Sequence, residues 1–432
     1  MRVAIVTPVF PPEPVVSSRT SWQIAEALAA QGHAVTVITA FPNRPAGRLF
    51  TGYARRPYRR ETLPSGVAVT RCFAFLSRRS RMLSRLAENV SFGVTSALAL
   101  AATSRPDVVY AVTWPIFAQA LVTVVAGIRG VPLVTSVQDV YPESLVAQAR
   151  LAPTSRVVRW LRRLDGAIVR RSRAVILISE TFRPLYARDR GVPDDRLEII
   201  PNWAEQTDVV PDAQAGEAFR RKLGVPPGAT LAVFGGNVGE AAGVEMLIDA
   251  VQQLAAPGLY LLIAGEGSSL SACQARAAQT RASRVLFHHP WAASETSAVL
   301  SAADVLLLPT RGRQSLVSVP SKLLAYMLAG KPVLATALPE SDLARLIQVA
   351  GCGWCVEPDR PELLADGLRR VVGLGDDERR RLGAAGRTFV LAHLAADVCV
   401  PQVVELLRRC AAGGQPYPAS MPAAQTPGDR RS

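Results

Sequence analysis

The chain has 432 residues, of which 49% are hydrophobic and 19% charged, and its mean hydropathy is +0.18. These values exclude an intrinsically disordered protein and leave enough apolar residues for two ordinary cores, at roughly 100 to 200 residues per domain. The net charge of +14, almost wholly from arginine, predicts anionic partners unless it reflects genome composition, and nucleic acid, anionic membrane and phosphorylated ligands all stay open.

The chain begins with a strand-like run directly after Met1, so we expect no secretory signal and a reducing cytoplasm. Its six cysteines are scattered, and Cys352 and Cys355 form a Cys-x-x-Cys pair without a second pair to complete a zinc site. The four histidines have no metal-like spacing with another ligand. We therefore predict no resident metal and no cofactor other than a co-substrate.

Short apolar runs alternate with helical patterns through the first half of the chain, which predicts a parallel α/β sheet. The strand-like runs lie at 2–10, 33–41, 67–75, 107–113, 132–138 and 174–179. After the first of them, Ser18 is a candidate N-cap for a helix that ends at Gln31 and Gly32. The pattern is that of an opening βαβ unit.

A second α/β series follows a short acidic segment of small residues. Its strand-like runs lie at 230–235, 259–264, 284–288, 304–308, 332–336 and 353–356. We predict two doubly wound, Rossmann-like lobes that face each other across a cleft. The predicted segments are a first lobe at 1–203, a linker at 204–215, a second lobe at 216–395, a helix packing across both lobes at 396–412 and a disordered tail at 413–432.

The run TLAVFGGNVG predicts a strand that delivers glycines to the start of a helix. At Gly235, Gly236, Asn237 and Gly239, backbone amides could approach an anion closely, because glycine has no Cβ and tolerates unusual φ values. The positive end of the helix dipole favours a diphosphate at the same point. A tight turn that needs glycine only for its geometry is the alternative.

A second candidate anion site opens the helix of VPSKLLAYMLAGKPVLA. Pro320 suits a first helical turn, and Ser321 can cap the helix. Lys322 adds a compact positive charge beside the free amides, which suits a departing diphosphate, although a solvated lysine is the alternative.

A third strand in this lobe ends at Gly265 and Glu266. Glu266 could accept hydrogen bonds from a base or a ribose, or it could be an ordinary turn carboxylate. Since ligands bind at the carboxyl edge of such sheets, the three strand ends predict one nucleotide site.

Five segments spread over nearly the whole chain form a more specific pattern than any one glycine loop. They are PPEP at 11–14, GHAVTVITAFPNRPAG at 32–47, VQDVYPES at 137–144, GGNVGEAAG at 235–243 and PSKLLAYMLAGKPVLA at 320–335. In this combination the chain resembles the retaining glycosyltransferases of family four, and within them the bacterial polysaccharide enzymes similar to N-acetylfucosamine transferases.

The resemblance implies a GT-B fold whose first lobe takes the acceptor and whose second lobe takes the nucleotide sugar. The diphosphate ligands that it implies are Gly236, Asn237, Ser321 and Lys322. The cleft residues that it implies near the transferred sugar are Gln138, Asp139 and Glu143. In such enzymes the departing phosphate oxygen takes the acceptor proton, so Lys322 and Asp139 are the candidate catalytic residues, the first for the leaving charge and the second for the acceptor hydroxyl or the cationic sugar.

The sequence departs from the family pattern at three places. Ala325 stands where relatives place a ribose-binding Glu. Glu240 and Ala242 stand where many relatives have Arg and Lys. The glycine-rich loop that usually follows PPEP is replaced by Val-Val-Ser-Ser-Arg, in which Ser17 and Ser18 are candidate acceptor contacts.

Two arginine-rich tracts resemble interfacial helices. One holds Arg78, Arg79, Arg81 and Arg85 before an apolar helix, and the other has seven arginines between 156 and 173, interleaved with Trp and Leu. No run reaches the roughly twenty apolar residues that span a bilayer. We expect a peripheral protein on the cytoplasmic face of the bacterial inner membrane, with an ordinary solvated basic face as the alternative.

The expected reaction is transfer of a sugar, such as an N-acetylated hexosamine or deoxyhexosamine, from a UDP-sugar to a lipid-linked or glycan acceptor in polysaccharide or O-antigen synthesis. A dinucleotide oxidoreductase is disfavoured because prolines follow the first strand in place of GxGxxG. A nucleic-acid binder has only the net charge in its favour. An inactive homologue that only binds nucleotide sugar or lipid is the remaining alternative.

Overall fold

The computed structural model describes residues 1–44, 47–76, 82–113, 115–147, 151–279, 284–316 and 321–414. The chain forms two compact units. The first unit contains Met1–Asn202 and the segment from Asp397 onward, and the second contains Trp203–Ala396. The predicted tail beyond residue 414 lies outside the described residues.

The first unit is built on an eight-stranded sheet in the order β3-β4-β2-β1-β5-β6-β7-β8. Its strands are β1 (Arg2–Val6), β2 (Ala34–Ala40), β3 (Tyr58–Thr62), β4 (Ala68–Cys72), β5 (Val108–Val112), β6 (Leu133–Val137), β7 (Ala174–Leu177) and β8 (Leu197–Ile199). Neighbours are parallel except β3 and β4. Strand β1 is central and pairs with both β2 and β5, so that Val3 lies opposite Val35 on one side and Val108 on the other.

Helices connect the parallel strands of this unit. They are α1 (Val16–Ala30), α2 (Met82–Ala102), α3 (Ile116–Ile128), α4 (Glu143–Ala147) and α5 (Arg156–Arg171). Helix α1 begins after Val15, and Ser18 lies inside its first turn, so the prediction of Ser18 as N-cap was wrong. Its end at Gln31 and Gly32 is confirmed, because Gly32 has a φ of +76° that glycine adopts without strain.

The second unit is built on a six-stranded parallel sheet in the order β11-β10-β9-β12-β13-β14. Its strands are β9 (Thr230–Gly235), β10 (Leu259–Ala264), β11 (Val285–His288), β12 (Val305–Leu308), β13 (Val333–Thr336) and β14 (Gly353–Val356). Both faces of this sheet are covered: along β9, Val233 belongs to one core cluster, and Ala232 and Phe234 to the other. Burial on both faces explains why these strands are continuous apolar runs in the sequence.

Helices cover both faces of the second sheet. They are α6 (Ala213–Lys222), α7 (Glu245–Leu254), α8 (Leu270–Gln279), α9 (Thr296–Ser301), α10 (Lys322–Leu328), α11 (Asp342–Ala350), α12 (Pro361–Val372) and α13 (Asp376–His393). The last helix, α14 (Ala396–Ala411), returns the chain to the first unit, where Arg409 lies 3.4 Å from Glu198 at the end of the sheet. That α14 also packs across the second lobe stays a prediction.

The predicted fold class, two parallel α/β domains, is confirmed. Within the described part of the chain, no helix is both long enough and apolar enough to cross a membrane. In each sheet the carboxyl ends of the parallel strands lie at one edge, and the loops at that edge carry predicted site residues.

Candidate functional site

The loops after β9 and β10 meet at the carboxyl edge of the second sheet. The Gly236 amide donates to the Ala264 carbonyl at 2.9 Å, and the Val238 amide donates to the Glu266 carbonyl at 2.8 Å. The Gly265 amide in turn donates to the His288 carbonyl at 3.0 Å. Backbone hydrogen bonds therefore hold the loop after β9 against the loop after β10, and Gly235, Gly236, Gly265 and Glu266 come together as predicted.

The glycines in these loops are required by close approach as well as by conformation. Gly236 and Gly265 have φ values of +139° and +129°, which L side chains rarely adopt. A Cβ on Gly265 would overlap the Gly236 carbonyl, and one on Gly239 would lie 3.0 Å from the Asn237 side chain. The alternative of a tight turn that needs glycine only for its geometry explains part of this pattern. The position of Lys322 gives a further reason why residue 236 is glycine.

The Lys322 side chain lies directly across Gly236, where a Cβ would overlap its Cε. Its Nζ donates to the Asn237 carbonyl at 3.4 Å and lies 4.6 Å from the centre of the Phe234 ring. Burial lowers the pKa of the lysine to about 8. No carboxylate among the described residues forms an ion pair with it. The amino group is thus a partly buried cation that has a carbonyl and an aromatic face as partners.

Tyr326 fixes the strand end to α10 and was missed by the sequence analysis. Its hydroxyl donates to the Gly235 carbonyl at 3.0 Å and accepts from the Gly235 amide at 2.9 Å. The ring is fully buried, and burial raises the pKa of the phenol well above its usual value. Because Tyr326 lies one helical turn after Lys322, this pair of hydrogen bonds also sets where the lysine lies relative to Gly236.

The structure gives less support to the other residues that were predicted to bind the nucleotide-sugar donor. Ser321 precedes α10 and is exposed, and its side chain makes no capping hydrogen bond, so its predicted capping role was wrong. Glu266 is exposed. Pro320 lies outside the described residues. Ala325 packs partly buried against the core of the second unit, so no carboxylate occupies that point of α10.

Arg311 and Glu245 also reach this edge and were not found from the sequence. Arg311 follows β12, Glu245 lies in the first turn of α7, and the two side chains form an ion pair. A Cβ on Gly243, whose φ is +59°, would lie 2.8 Å from Cγ of Arg311. The loop after β9 therefore has a cation at each end, Lys322 over Gly236 and Arg311 over Gly243.

In the first unit, Gln138 and Asp139 follow the carboxyl end of β6 directly, as predicted. The Gln138 amide group donates to the Ser136 hydroxyl at 3.0 Å. The Asp139 side chain is exposed, yet the surrounding protein removes enough water to raise the pKa of its carboxyl group. Both residues lie at the carboxyl edge of the first sheet, and their contact with a transferred sugar stays a prediction.

Glu143 belongs to a network of ion pairs. Its Oε1 accepts from Arg162 at 2.9 Å and its Oε2 accepts from Arg190 at 2.8 Å. Arg190 also donates to Asp165 at 2.7 Å, and Arg190 and Asp165 are almost completely buried. Both carboxylate oxygens of Glu143 are thus engaged with arginines, and the residue joins α4 to α5. A contact between Glu143 and a sugar stays a prediction.

Ser17 and Ser18 lie in the first turn of α1, close to the carboxyl end of β1 in sequence. Ser18 is fully buried, and its hydroxyl has no hydrogen-bond partner among the described residues. The PPEP segment beside it is held by Glu13, which is buried and accepts from the amides of Phe10, Asn43 and Arg44 at 3.2, 3.0 and 2.9 Å. Burial raises the pKa of Glu13 although these three amides oppose the shift. Glu13 therefore organises the loop after β1.

Within the described ranges, no group of three or more His, Cys, Asp or Glu side chains could hold a metal ion. What the second unit does offer is a glycine loop, its amides and two cations. Such a set suits a phosphate-bearing ligand, because amides and cations can neutralise several negative oxygens at once.

Known protein families match both units. The model described as "Glycosyl transferase 4-like domain" matches residues 17–203, and the model described as "Glycosyl transferases group 1" matches residues 229–373. The chain is 27% identical over 380 residues to the Escherichia coli (strain K12) protein that carries the name colanic acid biosynthesis glycosyl transferase WcaI, covering 86% of this chain and 92% of that protein.

Solved structures share the fold. Sucrose-phosphate synthase from Thermosynechococcus elongatus superposes with a TM-score of 0.74 at 20% identity, over 96% of this chain and all of that one. HepE from Anabaena, solved in complex with UDP-glucose, superposes with a TM-score of 0.67 at 15% identity, over 94% of this chain and 99% of that one. At these identities the likeness establishes the fold and leaves the ligand to the residues of the site.

Proposed function

This chain is a glycosyltransferase of the GT-B fold, built from a glycosyl transferase 4-like domain and a group 1 domain, and we propose that it transfers a sugar from UDP to a lipid-linked or glycan acceptor. The sugar that we propose is an N-acetylated hexosamine or deoxyhexosamine, and the product a cell-surface polysaccharide such as an O-antigen. The name of WcaI points to polysaccharide synthesis, and the HepE complex to a uridine diphosphate donor.

The observation that carries the proposal is the position of Lys322 over Gly236. Its ammonium group lies beside the amides at the end of β9 without a carboxylate partner in the described residues. A buried cation without a counter-ion is costly, and an anion that enters the loop removes that cost. A diphosphate supplies such an anion and leaves the attached sugar outside the loop.

In the proposed reaction the bond between the anomeric carbon and the β-phosphate oxygen breaks while the bond from that carbon to the acceptor oxygen forms. The negative charge that develops on the departing diphosphate is stabilised by Lys322 and by the amides of the glycine loop. The acceptor hydroxyl gives its proton to the departing phosphate oxygen on the same face of the sugar, so the anomeric configuration is retained. Asp139 accepts a hydrogen bond from that hydroxyl and orients it.

The first test is a thermal-shift panel of nucleoside diphosphates and their sugars, with wild-type protein and Lys322→Ala. We expect UDP and one UDP-sugar to stabilise the wild type and to lose that effect in the variant, whose turnover should fall by about a hundredfold or more. No stabilisation by any member of the panel would contradict the proposal. Wild-type turnover in Lys322→Ala would remove the lysine from the mechanism.

An inactive homologue that binds a nucleotide sugar is the second candidate. It is favoured by Ala325, which leaves α10 without the carboxylate that relatives use for ribose. Slow hydrolysis of the donor separates the two candidates, because a transferase site releases free sugar and UDP in the absence of acceptor. Binding of UDP-sugar without hydrolysis or transfer would favour the binding module.

We also propose that the enzyme works at the anionic cytoplasmic face of the bacterial inner membrane, where a polyprenyl-linked acceptor lies. Among the described residues, all exposed large apolar side chains but Val210 and Val349 belong to the first unit. Leu86, Val90, Val94 and Leu98 form a stripe along α2 at a spacing of four residues, and this helix packs against α3. Ile128 at the end of α3 is 80% exposed.

Basic and aromatic side chains adjoin this apolar face. On α5, Trp160 is half exposed, and its ring packs at a tilt against Phe117 of α3 with 5.9 Å between ring centres. Arg156 and Arg163, one turn before and one turn after Trp160, are exposed. Apolar residues with flanking arginines suit the boundary between lipid headgroups and acyl chains. The arginines 78, 79 and 81 of the first tract lie outside the described residues.

Flotation with vesicles containing anionic lipid at physiological salt tests this location. We expect the protein to float, and Arg163→Glu to bind about tenfold or more weakly, since one basic residue near such a surface contributes about 1 kcal/mol and reversal removes and opposes it. Arg221→Glu, an exposed arginine at the end of α6 in the second unit, is the control and should float like the wild type. Failure of the wild type to float would contradict the membrane proposal and leave the transfer proposal intact.

A further inference from the structure

The loop that carries Arg311 is held on both sides of the arginine. The Thr310 amide donates to the Thr336 hydroxyl at 2.7 Å, and the Thr310 hydroxyl donates to the Thr336 carbonyl at 2.5 Å. On the other side the Gly312 amide donates to Asp359 at 2.8 Å. These contacts anchor the loop to the end of β13 and to the loop after β14. The backbone of Arg311 is therefore held in place.

The side chain of Arg311 runs over the turn that joins the glycine loop to α7. Gly243 makes room for it, because a Cβ at this position would collide with Cγ of Arg311 and with the Met246 methyl group. The guanidinium pairs with Glu245, and the arginine side chain is 42% exposed. Nε of Arg311 and Oε2 of Glu245 are buried and have no hydrogen-bond partner among the described residues. Nε is thus left without an acceptor, and a ligand can reach the exposed part of the side chain.

We propose that Arg311 is the second diphosphate-binding cation of this enzyme, acting from the loop after β12 in place of basic residues at positions 240 and 242. The inference rests on the proposed function and deepens it. The glycine loop carries Glu240 and Ala242, so it contributes no cation of its own, while Lys322 and Arg311 lie over its two ends. A guanidinium can bind two phosphate oxygens through a planar pair of N–H donors, whereas a lysine ammonium acts as a point charge.

Glu245 is a positioning residue in this arrangement. Its carboxylate holds the guanidinium over Gly243 and so restricts the conformations of the long arginine side chain. An ordered arginine loses less conformational entropy when a phosphate binds. Glu245 itself touches no ligand, so its effect on nucleotide binding passes through Arg311.

The test measures the affinity of UDP and of uridine for wild type, Arg311→Ala and Arg311→Lys by calorimetry and ligand-observed NMR. We expect Arg311→Ala to weaken UDP binding by about tenfold or more, in line with loss of a charged hydrogen bond, and to leave uridine binding unchanged. Arg311→Lys should lose less UDP affinity than Arg311→Ala, because it keeps the positive charge and loses only the planar pair of N–H donors. Arg313→Ala, an exposed arginine two residues on, is the matched control and should bind UDP like the wild type.

Wild-type affinity of Arg311→Ala for UDP would overturn the inference, and so would equal losses for UDP and uridine, which indicate a structural effect. If the wild type binds UDP and Lys322→Ala does not, while Arg311→Ala does, the proposed function stands and only the role of Arg311 falls. If the wild type binds no nucleoside diphosphate, the proposed function itself fails.

A double-mutant cycle tests the positioning role of Glu245. Glu245→Gln should weaken UDP binding severalfold in the wild-type background and have no further effect in the Arg311→Ala background. Additive losses in the double variant would show that Glu245 does not act through Arg311, and would overturn that part of the inference.

Discussion

At the residue scale, Lys322 lies in a partly buried position, while its proposed role in phosphate binding requires a charged amino group. Burial removes water from the ammonium group and lowers its pKa, whereas a phosphate ligand favours the charged form. The short distance between the lysine stem and Gly236 produces the burial. The charge is available because no carboxylate in the described part of the chain pairs with the amino group. Both properties come from where α10 begins relative to β9.

The lowered pKa gives a pH dependence of donor binding. In the free enzyme the pKa of Lys322 is about 8, and bound diphosphate raises it, so above pH 8 binding requires uptake of a proton. We expect UDP affinity to be governed by the charged lysine up to about pH 8 and to fall by up to tenfold per pH unit above it. Calorimetry at pH 7, 8 and 9 checks this. A wild type whose UDP affinity does not decline above pH 8 would remove the lysine from contact with the phosphates.

The same pKa shift affects folding with a defined sign. Between about pH 8 and the ordinary lysine value of 10.5, the unfolded chain holds more protons on this group than the folded chain does. The contribution of Lys322 to the free energy of unfolding therefore rises with pH across that interval. The decline in UDP binding above pH 8 is thus not a consequence of lost stability at this residue.

Gly236→Ala should displace the lysine. The new Cβ would overlap Cε of Lys322, and the φ of +139° is strained for alanine, so we expect about 1 to 3 kcal/mol lower stability and loss of UDP binding. Gly258→Ala, in the turn before β10 with no heavy atom within 4 Å of the added Cβ, is the control. Thermal denaturation with and without UDP measures both effects. Normal UDP binding in Gly236→Ala would show that the lysine can reach the ligand by another path.

At the element scale, most strands were predictable to within a few residues, with β1 and β4 shorter than predicted, and β3 and β8 were missed. Strands β9, β10 and β14 have the predicted bounds. Strands β9 and β10 are buried on both faces and are therefore nearly continuous apolar runs, and the partly buried edge strand β14 is also apolar. Strand β3, with the sequence YRRET, was missed: it is an exposed antiparallel edge strand whose charged residues disguise it, as is usual for edges. Strand β8 has only three residues and gives too short a pattern to recognise.

The candidate site divides in the same way. The glycine loop and Lys322 were predictable because each lies at one end of a recognisable element. The pair of Arg311 and Glu245 was not, since its members are 66 residues apart and meet only because β12 lies beside β9 in the sheet. Glu143 illustrates the converse: its motif suggested a cleft residue, but the arginines that engage it come from α5 and from residue 190, which no local pattern indicates.

The ion network around Arg190 should contribute more to the free energy of unfolding than an exposed ion pair does. Asp165→Ala leaves the almost completely buried Arg190 with Glu143 as its remaining carboxylate, and we expect a loss of about 3 kcal/mol or more. Asp366→Ala removes the partner of Arg369 in the middle of α12, where both side chains are exposed, and should cost less than about 1 kcal/mol. Hydrogen exchange of the strands of each unit under native conditions measures the two losses. Equal small losses would show that Asp165 is dispensable.

At the scale of the whole molecule, the two units differ in surface as well as in sequence. Exposed large apolar side chains concentrate in the first unit, and the glycine loop with its two cations belongs to the second. This distribution agrees with the proposed division of labour, in which one unit meets lipid and acceptor and the other binds the donor nucleotide.

Hydrogen exchange of the intact enzyme with UDP tests this division. We expect the largest protection in the second unit, at the amides of 235–243 and around Arg311 and Lys322, because these groups contact the diphosphate in our proposal. Residues 138–143 should change much less with UDP alone. Protection confined to the first unit would contradict the assignment of the donor site, and Lys322→Ala provides the control that binds no UDP.

Helix α14 has a consequence for how the protein is made. It belongs to the first unit, yet the ribosome produces it after the whole of Trp203–Ala396. Seven of its residues, among them Val403, Leu406 and Leu407, are buried. During translation, at about 5 to 20 residues per second, the second unit can complete its own chain and fold while the first unit still waits for its last helix. During that interval the surface of the first unit that α14 covers is exposed to solvent. Newly made chains should therefore depend on chaperones to protect the first unit, which is synthesised first.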